Sequence, residues 1–149
     1  MEVSIVQASQ KHLYTLTVLT KQFFPYVNFS IEEVKRRFSD PNTKYFIAEV
    51  DGGTVGFVDY EVQGDKCKLM GLAVLDSYRG NGIAKKLVEE VLIQARLAKC
   101  VNVFLLVSVD NFSAVSLYSK LGFISKGKTD KQIAGKEILI MEKQLNQAE

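Results

Sequence analysis

Residues 71–87 read Gly71-Leu72-Ala73-Val74-Leu75-Asp76-Ser77-Tyr78-Arg79-Gly80-Asn81-Gly82-Ile83-Ala84-Lys85-Lys86-Leu87, an apolar strand pattern running into a glycine-rich helix start. Such a start offers amides without partners inside the helix and the positive end of the helix dipole. Both suit a phosphate or pyrophosphate. Gly80 and Gly82 let a ligand approach the backbone, and Arg79 adds a fixed positive charge at the same place. The run is not a dinucleotide fingerprint, because Lys85 stands where its last glycine belongs. Nor is it a P-loop, which needs a glycine-lysine pair that this turn lacks.

Other reactive side chains are few. Cys67 and Cys100 are the only cysteines, and both lie in apolar segments. Their spacing fits neither a metal site nor a disulfide scaffold, so two reduced core thiols are expected and no metal ligand set. The one histidine, His12, sits early in a helical pattern, where a surface or core-edge role is expected. With 149 residues, 47% of them hydrophobic and 24% charged, the chain is expected to form one compact domain over residues 1–149. Nineteen basic against seventeen acidic residues give a net charge of +2. That balance provides no case for a nucleic-acid or membrane partner. The start Met1-Glu2-Val3-Ser4 has no basic region followed by an apolar run, and no stretch is apolar for long enough to span a bilayer. A soluble, cytoplasmic protein is the expectation, as a monomer or homodimer.

The elements that position the turn follow from periodicity. Residues 3–8 read as a strand, and 10–24 as a helix with Leu13, Leu16, Leu19 and Phe23 on one face, ended by Pro25. Ser30-Ile31-Glu32-Glu33 is a capping box for a second helix that stops by Asp40-Pro41. Strands over 44–50 and 54–62 flank the turn Asp51-Gly52-Gly53. A continuous apolar run over 67–75 suits a strand covered on both faces, and Gly71 within it suggests a bulge or a close backbone approach. The clearest helix spans 81–99, with Lys85–Glu89 and Lys86–Glu90 placed to pair on its outer side. A buried strand over 101–109, a short helix over 112–121 capped by Gly122, and strands over 123–128 and 137–143 complete the chain.

Two motifs in this frame resemble the GNAT superfamily of N-acetyltransferases, whose donor is acetyl-CoA. Arg79-Gly80-Asn81-Gly82-Ile83-Ala84 fits the superfamily's Arg/Gln-x-x-Gly-x-Gly/Ala signature residue for residue. The stretch from Val107 through Asn111 and Tyr118 to Gly122-Phe123 is similar to its second signature, in which an asparagine opens a helix, a tyrosine follows seven residues on, and Gly-Phe closes it. The element order agrees over essentially the whole chain. The resemblance implies an α/β (α+β) fold with a central mixed, mostly antiparallel seven-stranded sheet flanked by four helices. It also implies an acetyl-CoA-dependent acyltransferase. Backbone groups of Leu72, Ala73 and Val74 would pair with the pantetheine arm, and one amide would stabilise the thioester oxygen. Amides of Arg79, Gly80, Asn81, Gly82, Ile83, Ala84 and Lys85 would hold the pyrophosphate. Asn111 would meet the pantetheine arm while also serving as a helix N-cap. Tyr118, which also contributes to donor binding, would protonate the departing thiolate; its competing role is a core aromatic.

The acceptor side is less marked. Phe24, Pro25 and Tyr26 fall where related enzymes bind the acceptor, and they resemble the Phe-Pro pair of protein N-terminal acetyltransferases, including the ribosomal-protein type. The segment 128–136, read as the loop before the last strand, lacks the tyrosines those enzymes usually carry there. No carboxylate stands on the fourth strand or mid-fifth strand, where Leu69, Met70, Leu105, Leu106 and Val107 offer no base. Asp59 and Glu61 alternate with Val55 and Phe57; a solvated strand face is their expected place, and the alternative is that they reach the cleft and take the amine's proton through water. Without a base, the expected acceptor is a small-molecule amine or a protein N-terminus with a weakly basic α-amine, and activity should rise between about pH 7 and 9. The alternative is a non-catalytic CoA-binding regulator with the same fold.

Overall fold

The computed structural model describes residues 1–27 and 30–145. Its strands are β1 (Ser4–Gln7), β2 (Thr43–Val50), β3 (Gly53–Gln63), β4 (Lys66–Val74), β5 (Asn102–Ser108), β6 (Ile124–Ile133) and β7 (Lys136–Gln144). They form one sheet in the order β1-β2-β3-β4-β5-β7-β6. Every neighbouring pair is antiparallel except β4 and β5, which run parallel. The helices are α1 (Leu13–Phe23), α2 (Ile31–Ser39), α3 (Ile83–Leu97) and α4 (Phe112–Lys120). This is the seven-stranded, four-helix arrangement the sequence implies.

The sheet is covered on both faces, and its side chains alternate between two cores. Val58 and Tyr60 of β3 pack with Leu87, Val88 and Val91 of α3 and with Tyr118 of α4. Phe57, one residue along, joins Leu16 of α1 and Val34 of α2 on the other face. Strand geometry sends alternate residues to opposite faces, so the same face that buries Phe57 must also receive Asp59 and Glu61. Among the described residues, no helix is long and apolar enough to cross a membrane.

Several local expectations need correction. The first helical turn, Gln10–His12, is 3-10 rather than α, with the Ser9 amide donating to Nδ1 of His12 at 3.0 Å. At α2 the Glu33 amide donates to the Ser30 hydroxyl at 3.2 Å, but the Glu33 carboxylate turns to Arg36 at 3.0 Å instead of reaching back. The box is half formed because an i,i+3 ion pair competes for its glutamate. On α3 the described ion pairs do not include Lys85–Glu89 or Lys86–Glu90. The expected loop over 128–136 is a hairpin: β6 continues to Ile133 and turns at Ala134-Gly135. Within it the Lys128 ammonium lies 3.3 Å from Glu137 of the facing β7, an exposed ion pair across the hairpin.

Candidate active site

β4 and β5 pair only from Lys66↔Asn102 to Leu69↔Leu105. Beyond that point β4 stays with β3 as far as Val74, and β5 stays with β7 as far as Ser108. The two central strands therefore part, leaving the β5 side of β4 without a ladder partner. At the fork, Asp59 pairs with Gly71 and Tyr60 with Leu69, so Met70 is an extra residue that bulges out of β4. Gly71 is next to that bulge, as the sequence suggests. A side chain at Gly71 would place its Cβ 2.7 Å from Oδ1 of Asp59, so the close approach here is made by a carboxylate.

A groove of about 420 Å³ runs from the end of β4 to α4. Leu72, Ala73 and Val74 line one side, Asn111, Ala114 and Leu117 the other. Its end is the glycine-rich turn, where Arg79, Gly80, Gly82, Ile83, Ala84 and Lys85 all border the groove. Gly82 is the N-cap of α3 with φ +76°, and no side chain caps the helix. The first amides of α3 are thus left for a ligand, as an anion site requires. Gly80 is at φ +82°, and an added Cβ at either glycine would meet open space. Positive φ, not crowding, is what demands glycine here. Arg79 pairs with Asp76 at 3.2 Å, so its charge is partly matched locally.

Two of the sequence-derived donor residues fall outside the groove wall. The Asn81 amide group folds back to donate to the carbonyls of Tyr78 and Arg79 at 3.0 and 3.3 Å, which braces the turn. Tyr118 is only 5% exposed, packs edge-on against Phe123 at 5.5 Å and does not border the groove. Burial pushes its phenol well above the ordinary range and keeps it protonated. Asn111 holds both expected positions: it borders the groove, and its Oδ1 accepts from the Ala114 amide at 3.3 Å.

A second cavity, about 240 Å³, opens at the same fork on the α1–α2 side. Phe24 borders both cavities, while Tyr26 faces only the second and Pro25 borders neither. Its walls include Phe57, Leu69, Met70 and Leu106, with Ile133 brought over by the extended β6. Leu69 and Leu106 border this chamber and Val107 does not; Leu69 and Val107 both belong to the core on the α3 side. Residues 28 and 29, which follow this acceptor segment, lie outside the described residues.

The polar floor of this chamber reverses the favoured sequence expectation and adds a partner, Arg37, that the sequence reading does not single out. Asp59, expected on a solvated face, is 5% exposed. Arg37 of α2, equally buried, donates from Nη2 to Oδ2 of Asp59 at 2.5 Å, from Nη1 to Glu61 at 3.1 Å and from Nε to the Tyr45 hydroxyl at 3.0 Å. Asp59 also accepts from the Gly71 amide. Burial outweighs these partners and raises its carboxyl to about 6. A signal was present: Arg37 lies three residues after Val34 on the apolar face of α2, and Asp59 two after Phe57 on the apolar face of β3. His12, by contrast, is structural as expected, bonded to Ser9 and 3.7 Å from Glu49. Cys67 and Cys100 are both buried. No metal-holding cluster occurs among the described residues.

Parted parallel strands, an uncapped glycine-rich helix start and a second chamber at the same bulge together make a fold of the acyltransferase kind. The chain belongs to the acetyltransferase (GNAT) family, whose pattern it matches over residues 13–123. It is 30% identical over 113 residues to an N-alpha-acetyltransferase of Sulfurisphaera tokodaii, covering 67% of this chain and 65% of that protein. The chain spans only 30% of N-alpha-acetyltransferase 30 of Saccharomyces cerevisiae, to which it is 45% identical over 53 residues, 36% of its own length. In fold it is similar to the ribosomal-protein-S18-alanine N-acetyltransferase of Escherichia coli, with a TM-score of 0.82 and 18% identity over 99% of this chain and 97% of that one. A chain of the NatC complex bound to Gag peptide and CoA gives a TM-score of 0.85 at 21% identity, covering 98% of this chain and all of that one.

Proposed function

We propose that the protein transfers an acetyl group from acetyl-CoA to a primary amine by direct attack, and that the acceptor is a peptide or amino-acid α-amine. The observation that carries this reading is the meeting of groove and chamber at one β4 bulge, with Phe24 bordering both. The groove fits the donor: its glycine-rich end suits the pyrophosphate, and the unpaired edge of Leu72, Ala73 and Val74 suits the pantetheine arm as an added strand. An amide at the bulge polarises the thioester carbonyl. The chamber admits the acceptor from the opposite side, with Phe24 and Tyr26 against it. A protein that only bound CoA would have no use for this second cavity.

The α-amine preference is supported by basicity and by relatives that carry the name N-alpha-acetyltransferase. An α-amine titrates near ~8 and a lysine side chain near ~10.4. Near neutral pH the α-amine is therefore over a hundredfold richer in the neutral, nucleophilic form. Matched peptides with either the terminus or a single lysine blocked test this, with free CoA thiol as the readout. The expected result is turnover of the free-terminus peptide. Preference for the lysine amine overturns the acceptor assignment, and no thiol release with any amine overturns the transferase reading.

A further inference from the structure

The chamber floor carries a carboxylate that the donor-binding residues leave unused. We propose that Asp59 is the base that takes the proton from the acceptor's ammonium group, with Arg37 as the residue that positions it. This rests on the transferase reading above.

The geometry is specific. Asp59 borders the acceptor chamber and is paired in register with Gly71, the residue before the first backbone groups offered to the donor. Its Oδ2 is fixed by Arg37, whereas Oδ1 lies over the bare Cα of Gly71, where any Cβ would come within 2.7 Å of it. Glycine at that position keeps the carboxylate against the bulge. The charged and titratable groups around it come from each neighbouring element: Arg37 from α2, Tyr45 from β2, Glu61 from β3 itself and Lys68 from β4. Tyr45, raised to about 12 mainly by burial, stays neutral and so cannot compete for the proton. Arg37 stays charged, leaving Asp59 as the ionised, chamber-facing group that titrates nearest neutrality, at about 6.

The step balances without a co-reactant. One proton moves from the ammonium nitrogen to Asp59, freeing the nitrogen lone pair. That pair forms the C–N bond at the thioester carbonyl carbon, and the C–S bond breaks with its electrons going to sulfur. The second nitrogen proton is lost as the amide forms and ends on the sulfur. Asp59 then releases its proton to solvent. A carboxyl near 6 facing an α-amine near ~8 makes the first transfer unfavourable by only about a hundredfold; facing a lysine the gap exceeds about ten-thousand-fold.

The test is the pH dependence of kcat/KM for one α-amine peptide at saturating acetyl-CoA. If Asp59 accepts the proton, the wild type uses the ammonium form directly, and its profile is flat from about pH 6.5 to 8, falling below about 6 as Asp59 protonates. Asp59→Asn can use only neutral amine, so its kcat/KM climbs roughly 15-fold over the same interval, following the amine's own titration near ~8. Asp59→Glu restores the flat profile at reduced rate. A purely structural Asp59 gives instead a loss that is equal at every pH. A wild-type profile that itself climbs with the amine overturns the proposal whether or not the variants fold. An inert wild type overturns the transferase reading first, so the two failures are distinct.

Discussion

Tyr118 and Asp59 are both buried, and burial raises the proton affinity of each. That makes the carboxyl a usable proton acceptor, whereas it keeps the phenol protonated but makes it a weaker acid. For Tyr118 the packing against Phe123 competes with the acid role, and kinetics separate the two. Tyr118→Phe keeps the ring and its burial, so donor affinity should hold while turnover drops about ten- to a thousand-fold. Turnover that stays the same, measured where chemistry limits the rate, assigns Tyr118 to packing alone. Among single residues, most of those the motifs single out for the donor border one groove. Asn111 and the glycines are where their spacing places them, because each answers to a local demand, a helix cap or a positive φ. Asp59 was not legible in this way, since its environment comes from a helix twenty-two residues away.

At the level of elements, the fork between β4 and β5 and the start of α3 form one device. The bulge at Met70 turns β4 away from β5, and the Gly80 to Gly82 turn delivers the uncapped amides of α3 to the open end. Donor binding to this device should raise Tm by mass action, about 2.7 kcal/mol at a hundred times Kd. For a chain of this size that is on the order of 5–10 °C. Gly82→Val forces a β-branched residue into φ +76° and should abolish the acetyl-CoA shift, because the first turn of α3 can no longer present its amides. A scan with and without millimolar acetyl-CoA decides it; an undiminished shift in the variant removes the turn from the donor site. The elements themselves were legible from periodicity to within a residue or two at most ends. The last hairpin was the exception, because the polar run 128–133 shows no alternation, and it is strand only through pairing with β7.

Across the whole molecule, Arg37 ties α2 to the middle of the sheet through three partners on β2 and β3, and so links the second chamber to the fold's stability. Arg37→Leu strands Asp59 in an apolar site and should cost about 3–5 kcal/mol, on the order of 10 °C in Tm. Arg37→Leu with Asp59→Leu removes both charges and should recover a large part of that loss. Urea unfolding of the single and double variants measures it, and equal losses in both would mean that packing, not the buried charge, carries the cost. The division between sequence and tertiary structure has the same physical root. The sequence by itself determined the strand and helix order, the glycine-rich turn before α3 and the family they indicate. Each of these depends on neighbours a few residues apart, through periodicity, capping and backbone dihedrals. Only the tertiary structure decided that β4 and β5 part after Leu69, that Ile133 reaches the second chamber, and that Asp59 lies buried at its floor. Those outcomes depend on contacts between segments far apart in the chain, where a carboxylate's surroundings, and hence its proton affinity, are set by which helix covers its strand.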